Sequence, residues 1–323
     1  MKASIKDHFL VFIEKFNVPE NLKIYIPKIL NEEEVKILNF LIDKEEKISD
    51  IISKFPSTGT LLIKSLYQRG YLIRQLRRGE NYYKSNTLDQ ILKRFVNHSQ
   101  KFKDLTDKEK IHFQEFITGM YLKKMRASKK PVYRVVPIEE TIQDKRQLIP
   151  YHKAIYYIQK SSALALIDCI CRTTFMRCNK AREVCIALGE QAEFFVERGI
   201  GKMIDIQEGQ RILDLAEESG LVHSINNKKN PNFLCNCCEC CCVFVEALKK
   251  RGIITSIGKS GFIALLDLEL CNQCGICLEK CIFGAISHEK EILQFDADRC
   301  FGCGLCAYNC PLSAIKLVLN ENK

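Results

Sequence analysis

The first 168 residues contain no cysteine, yet the chain has 18 of them between Cys169 and Cys310. Long apolar runs are also missing. Nothing approaches the roughly 18 residues that a membrane-spanning helix needs. The opening MKASIKDHFLVFIEKFNVPE breaks its apolar residues with charges and has no signal-peptide core. These absences predict a cytoplasmic protein with no membrane partner. A reducing cytoplasm in turn argues against disulfides as the use of so many thiols. The usual marks of a stand-alone enzyme are absent as well: there is no His/Asp/Glu cluster and no nucleophile elbow. Gly258-Lys259-Ser260 misses a phosphate loop, because Gly252 precedes that trio by five residues where the pattern needs four. Gly199-Ile200-Gly201 lacks the third glycine and the preceding strand of a dinucleotide fingerprint.

What is present is unevenly distributed. The 323 residues are 46% hydrophobic, with a net charge of +10, and leave room for two or three domains. A mean hydropathy of -0.11 fits a soluble globular chain. Residues 1–130 hold 26 Lys/Arg against 16 Asp/Glu, and residues 131–323 hold 23 of each. The whole positive surplus therefore sits in the part with no cysteine. A basic N-terminal module and a metal-rich C-terminal half follow from these two asymmetries.

The C-terminal cysteines form an internal repeat. Cys271-x2-Cys274-x2-Cys277-x3-Cys281 recurs 29 residues later as Cys300-x2-Cys303-x2-Cys306-x3-Cys310-Pro311. The two-residue spacing lets a tight loop turn three thiolates toward one centre. Gly275, Gly302 and Gly304 allow the backbone close to it. The alternating stretch ISHEKEILQF, Ile286–Phe295, predicts a hairpin joining the halves. Residues 262–318 resemble a bacterial-type ferredoxin domain with two [4Fe-4S] clusters. The resemblance implies that Cys271, Cys274, Cys277 and Cys310 hold one cluster. Cys300, Cys303, Cys306 and Cys281 would hold the other, the fourth cysteine of each run serving the opposite site. Ile282 stands where that family usually has proline. The alternative is a pair of zinc knuckles, which usually join two CxxC units across a longer gap. Carriers of this sort work near roughly −400 mV.

Residues 131–257 read as a cysteine-rich α/β domain: a strand at 131–138, a helix near 151–161 and a strand at 163–167. That strand delivers Cys169 and Cys171, which on an extended strand end would point to one side. With Cys178 and Cys185 they offer four thiols, enough for one site. Arg172, Arg177, Lys180 and Arg182 are interleaved and would lower thiol pKa values. Helices follow near 188–198 and 207–219. His223 reads as a satisfied histidine or as a ligand. Then comes CNCCECCC, with Cys235, Cys237, Cys238, Cys240, Cys241 and Cys242 in eight residues. It contains three overlapping CxxC pairs: Cys235/Cys238, Cys237/Cys240 and Cys238/Cys241. Six thiols are too many for one ordinary site. Either two go unused, or the stretch shares ligands with Cys169–Cys185, giving two centres or one unusual cluster. A third Fe–S cluster or zinc is the expected occupant. The CxCR and CNCC pattern ahead of a dicluster domain resembles a family of iron–sulfur proteins from anaerobes, characterised only as 4Fe-4S binding.

The N-terminal residues 1–100 carry three helical patterns, a hairpin signal at YLIRQL…NYYKS and a further helix on Leu88, Ile91, Leu92 and Phe95. That order resembles a winged helix-turn-helix over residues 31–97. Residues 54–103 hold 11 Lys/Arg and two Asp/Glu, a surplus that DNA binding requires. Protein docking is the other use of such a module. A helix opening at Thr106-Asp107-Lys108-Glu109, a capping box, bridges residues 101–130.

The sequence thus predicts a multidomain α+β protein with a winged-helix module, a cysteine-rich middle domain and a ferredoxin-type domain. The leading expectation is an electron carrier or oxidoreductase component, passing single electrons to or from a redox protein partner. About eight irons are expected in the C-terminal domain and more than eight in the full chain. The alternatives are a redox- or iron-responsive DNA-binding regulator, and a reductase whose active site is the middle cysteine cluster.

Overall fold

The computed structural model describes residues 7–56, 59–289 and 292–320. Two compact units emerge. One comprises Met1–Met120 with Glu197–Gly199, the other Tyr121–Val196 with Ile200–Lys323. No helix among the described residues is long and apolar enough to cross a membrane.

The first unit begins with α1 (Asp7–Lys15), α2 (Glu20–Lys23), α3 (Ile26–Ile29) and α4 (Glu32–Leu41). The start of α4 is set by Asn31, whose side chain accepts from the Glu34 amide while the Glu34 carboxylate accepts from the Asn31 amide. Next come β1 (Glu46–Lys47), α5 (Ile48–Lys54), α6 (Gly59–Gln68), β2 (Leu72–Arg77), β3 (Glu80–Ser85), α7 (Leu88–His98) and α8 (Gln100–Lys103). The strands form an antiparallel sheet in the order β1-β3-β2. Helix α9 (Asp107–Ala127) opens on the Thr106/Glu109 capping box. Phe95, Phe102 and Phe113 meet edge-on or tilted beneath these helices, fixing the core where the apolar stripe on α7 predicts it.

The second unit is built on a seven-stranded sheet. Its elements are β4 (Tyr133–Val135), α10 (Ala154–Lys160), β5 (Leu164–Asp168), α11 (Ile170–Phe175), β6 (Glu183–Leu188), α12 (Glu190–Glu197), β7 (Lys202–Met203), α13 (Ile206–Glu218), β8 (Val222–Asn226), β9 (Phe233–Cys237), α14 (Val243–Arg251) and β10 (Ile257–Gly258). The strand order is β10-β4-β8-β9-β6-β5-β7. Only β10 and β4 pair in parallel; the other neighbours are antiparallel. Strand β5 stops at Asp168. Cys169 then caps α11 and Cys171 lies inside it. The expected strand end that would point both thiols one way is therefore a strand-to-helix turn.

The C-terminal repeat follows as β11 (Phe262–Leu266), α15 (Ile276–Lys280), β12 (Ile286–Glu289), β13 (Ile292–Phe295), α16 (Leu305–Tyr308) and β14 (Ile315–Leu319). Strands β12 and β13 form the expected hairpin, whose tip at residues 290–291 lies outside the described residues. Strand β11 pairs with β14, the two ends of the repeat. The repeat is joined to the sheet by backbone hydrogen bonds: Ile138 N–H to Cys303 O at 3.0 Å and Gln143 N–H to Leu317 O at 2.9 Å. Ser260, from the near-miss phosphate motif, donates its hydroxyl to Gly302 O at 2.9 Å. That segment is a structural joint.

Candidate metal centres

All 18 cysteines are free of disulfides. In the repeat, each half uses the same local device. A glycine in the left-handed region, Gly275 or Gly304, caps a one-turn helix that carries the third cysteine of the run. The turn before it aims the first two thiols at the same space. The last cysteine of each run lies beyond that helix and is carried to the opposite half.

The result is two recesses. One, with about 360 Å³ of atom-free space counted out to open solvent, is lined by Cys281, Cys300, Cys303 and Cys306. The other, about 290 Å³ on the same basis, is lined by Cys271, Cys274, Cys277 and Cys310. Each holds three thiols of one run and the last thiol of the other. Among the described residues, no carboxylate or imidazole lines either recess. Backbone amides point at sulfur in both: Gln273 N–H at Cys271 Sγ (3.4 Å), Ala285 N–H at Cys281 Sγ (3.2 Å) and Ala264 N–H at Cys300 Sγ (3.4 Å). Burial pushes the Cys303 thiol up to about 12 and raises Cys306 too. Thiols so placed ionise readily only when a cation replaces the proton. An all-thiol donor set with amides aimed at sulfur, walled by Ile286, Leu293 and Ile315, fits iron–sulfur clusters. The two recesses differ in exposure. Cys274 is exposed, whereas the other recess backs onto the sheet, where Cys281 and Cys303 pack against the core of the middle region.

The ten middle cysteines separate into two groups. Cys238, Cys240 and Cys241 occupy the turn between β9 and α14, and Cys178 reaches them from the segment after α11. Their four Sγ atoms all lie within 4.8 Å of one another. Cys178 and Cys241 are 3.7 Å apart. The other six thiols line the neighbouring end of the sheet. Cys185 on β6 contacts Cys169 and Cys235. Cys242 contacts Cys171, and also Cys237 at 3.3 Å. Cys235 and Cys237 share one face of β9 because they are two residues apart on a strand. The grouping Cys169, Cys171, Cys178, Cys185 that spacing favours is thus divided in space: Cys178 belongs with the turn, the other three with the sheet. Of the three overlapping CxxC pairs, only Cys238/Cys241 lies within one group.

Arg172 is the largest fully buried side chain among the described residues, 1% exposed. Its Nη1 donates to Asn236 O at 3.0 Å. Burial disfavours its charge, while the sulfurs of Cys169, Cys185 and Cys238, in their thiolate form, favour it and raise its pKa. Among the four interleaved cations, Arg172 is the one sunk among thiols. Arg177 pairs with Glu246 at the surface, and Lys180 Nζ donates to Ser219 O at the end of α13. His223 is a satisfied core histidine: Nδ1 lies 2.6 Å from Asn236 Oδ1 and Nε2 2.9 Å from Glu217 Oε1. Asn236, which sequence reading passed over, ties this histidine, the Val184 carbonyl and Arg172 together. A polar residue within a run of cysteines gave no signal of that role.

Residues 270–314 match the family described as 4Fe-4S dicluster domain. No curated protein and no solved structure matches the chain. The chain is thus an iron–sulfur protein with a C-terminal dicluster-type domain and a cysteine-rich middle region of mixed α/β structure.

Proposed function

We propose that this protein is a one-electron carrier with two [4Fe-4S] clusters in its C-terminal repeat and a further thiolate centre in its middle domain. Cys271, Cys274, Cys277 and Cys310 hold one cluster; Cys281, Cys300, Cys303 and Cys306 hold the other. The observation that carries this reading is the pair of recesses, each lined by one such crosswise set of four thiols. When bound, clusters of this kind supply reversible single-electron transfer. The chain's own residues do the rest. Amides of Gln273, Ala264 and Ala285 stabilise charge on sulfur, which tunes the potential. Ile286, Leu293 and Ile315 exclude water. The exposed Cys274 side is the face for a redox protein partner, and the Cys303 side leads inward to the middle thiols.

The first unit is read as a winged-helix module over residues 31–97, used to dock a protein. On its sheet Arg77 of β2 pairs with Glu45, and Lys47 of β1 pairs with Glu80 of β3 at 2.6 Å. Cations already neutralised have less to offer a phosphate backbone.

Iron and acid-labile sulfide counts on full-length protein purified without oxygen test the central claim. At least eight irons and eight sulfides per chain are expected, with Cys303→Ser disturbing one cluster and leaving the paramagnetic signal of the other. Zinc without sulfide at the repeat would sink the electron-carrier reading.

A further inference from the structure

We propose that Cys178, Cys238, Cys240 and Cys241 form a closed tetrahedral site for one divalent ion of the zinc or ferrous type, distinct from the six other middle thiols and from the two cluster sets of the repeat. The argument is one of size. A metal–thiolate bond of about 2.3 Å gives a tetrahedron of sulfurs edges of roughly 3.8 Å. A four-iron cube assigns each thiolate its own iron and spreads the four sulfurs to on the order of 6 Å. Here all four Sγ atoms lie within 4.8 Å of one another, and one pair is at 3.7 Å. Among the described residues, no other group of three or more His, Cys, Asp or Glu ligand atoms is so compact. Both four-cysteine sets of the repeat are looser. The same fold therefore contains thiol sets of two sizes, and this one leaves room for a single ion.

Local structure agrees with a closed thiolate site. Three of the thiols sit in one turn, with the Cys238-x2-Cys241 spacing common in structural tetrahedral sites. The Lys180 amide is hydrogen-bonded to the Cys178 sulfur and the Arg177 amide to that of Cys241. Amides so aimed stabilise thiolate ligands. The buried guanidinium of Arg172 reaches Cys238 and also faces Cys169 and Cys185, so a fixed positive charge touches both thiol groups. Loading exchanges four thiol protons for one dication. The site is left with two negative charges, beside Arg172 and Arg177.

The metal-to-sulfide ratio of the full chain decides the matter, and it does so whether or not the protein carries electrons. Cys178→Ser and Cys240→Ser should each remove one zinc or one iron per chain with no loss of sulfide. Loss of about four irons together with four sulfides would overturn the proposal, as would retention of every metal ion by both variants. Should a variant misfold and shed sulfide throughout, the unmodified protein answers the same question. The expectation is one zinc bound by four sulfurs with no metal neighbour in zinc-edge X-ray absorption, or one isolated tetrathiolate iron by Mössbauer spectroscopy. Absence of both signals overturns the proposal.

Discussion

Arg172 shows how much a single buried charge decides in the middle region. A guanidinium removed from water is stable only if hydrogen bonds and negative partners replace its hydration. Here the Asn236 carbonyl accepts from Nη1, and the sulfurs of Cys169, Cys185 and Cys238 beside the guanidinium supply negative charge in their thiolate form. Arg172→Met keeps an unbranched apolar stem but leaves Asn236 O and the sulfurs without their cation. We expect a loss of about 3 kcal/mol, the scale for breaking one side of a buried ionic arrangement. Urea unfolding of the full chain, followed by far-UV circular dichroism, would measure it. Arg172→Lys should recover only part, because an ammonium lacks the planar fork. Stability equal to the parent in both variants would show that the charge is not bound into the fold. Arg172 was legible as a cation near thiols. Its burial was not, since the CxCR pattern carries no information on what packs over it.

At the scale of elements, the two halves of the repeat are alike in sequence and unlike in surroundings. Gly304 corresponds to Gly275, 29 residues earlier. A methyl group at Gly304 would lie 2.6 Å from Thr141 Oγ1 and 3.2 Å from Ile138 Cβ, at φ +88°. At Gly275 the nearest neighbour of such a methyl is His288 Cε1, at 3.6 Å. Gly304→Ala therefore meets both backbone strain and a packed neighbour, at a cost of about 1–3 kcal/mol. It should deplete iron and sulfide at the Cys281/Cys300/Cys303/Cys306 set far more than Gly275→Ala depletes the other set. Equal retention in the two variants, by iron and sulfide assay, would contradict this. The glycines themselves were readable from the repeat. The asymmetry was not, because it comes from the 138–141 segment, distant in sequence. The alternation of ISHEKEILQF and the apolar stripe of α7 were readable for the opposite reason: periodicity is local.

For the whole molecule, the positive surplus of residues 54–103 raises the question of nucleic acid. If the hairpin cations serve protein docking, full-length protein should bind duplex DNA only without sequence preference. That binding should weaken steeply as salt rises, as counterion release requires. Gel-shift titrations at 50 and 200 mM salt, roughly a 10³-fold drop for six phosphate contacts, would check this on oxidised and reduced protein. Sequence-specific binding that survives physiological salt, and that changes with oxidation state, would favour the regulator.

Local pattern determined the C-terminal repeat and its hairpin, because three thiols separated by two residues each converge within one turn of chain and alternation marks paired strands. The exchange of Cys281 and Cys310 between the two recesses was an expectation of the family resemblance, since it joins distant parts of the repeat. Locality also explains the capping boxes at Asn31 and Thr106. The ten middle thiols were different. Their partition into a compact four and an extended six depends on antiparallel pairing that sets β6 beside β9, and on the chain after α11 returning to the turn at Cys238–Cys241. Those contacts join residues some 50 to 65 apart in sequence. Only tertiary structure brings them together, and only it shows which thiols share a centre.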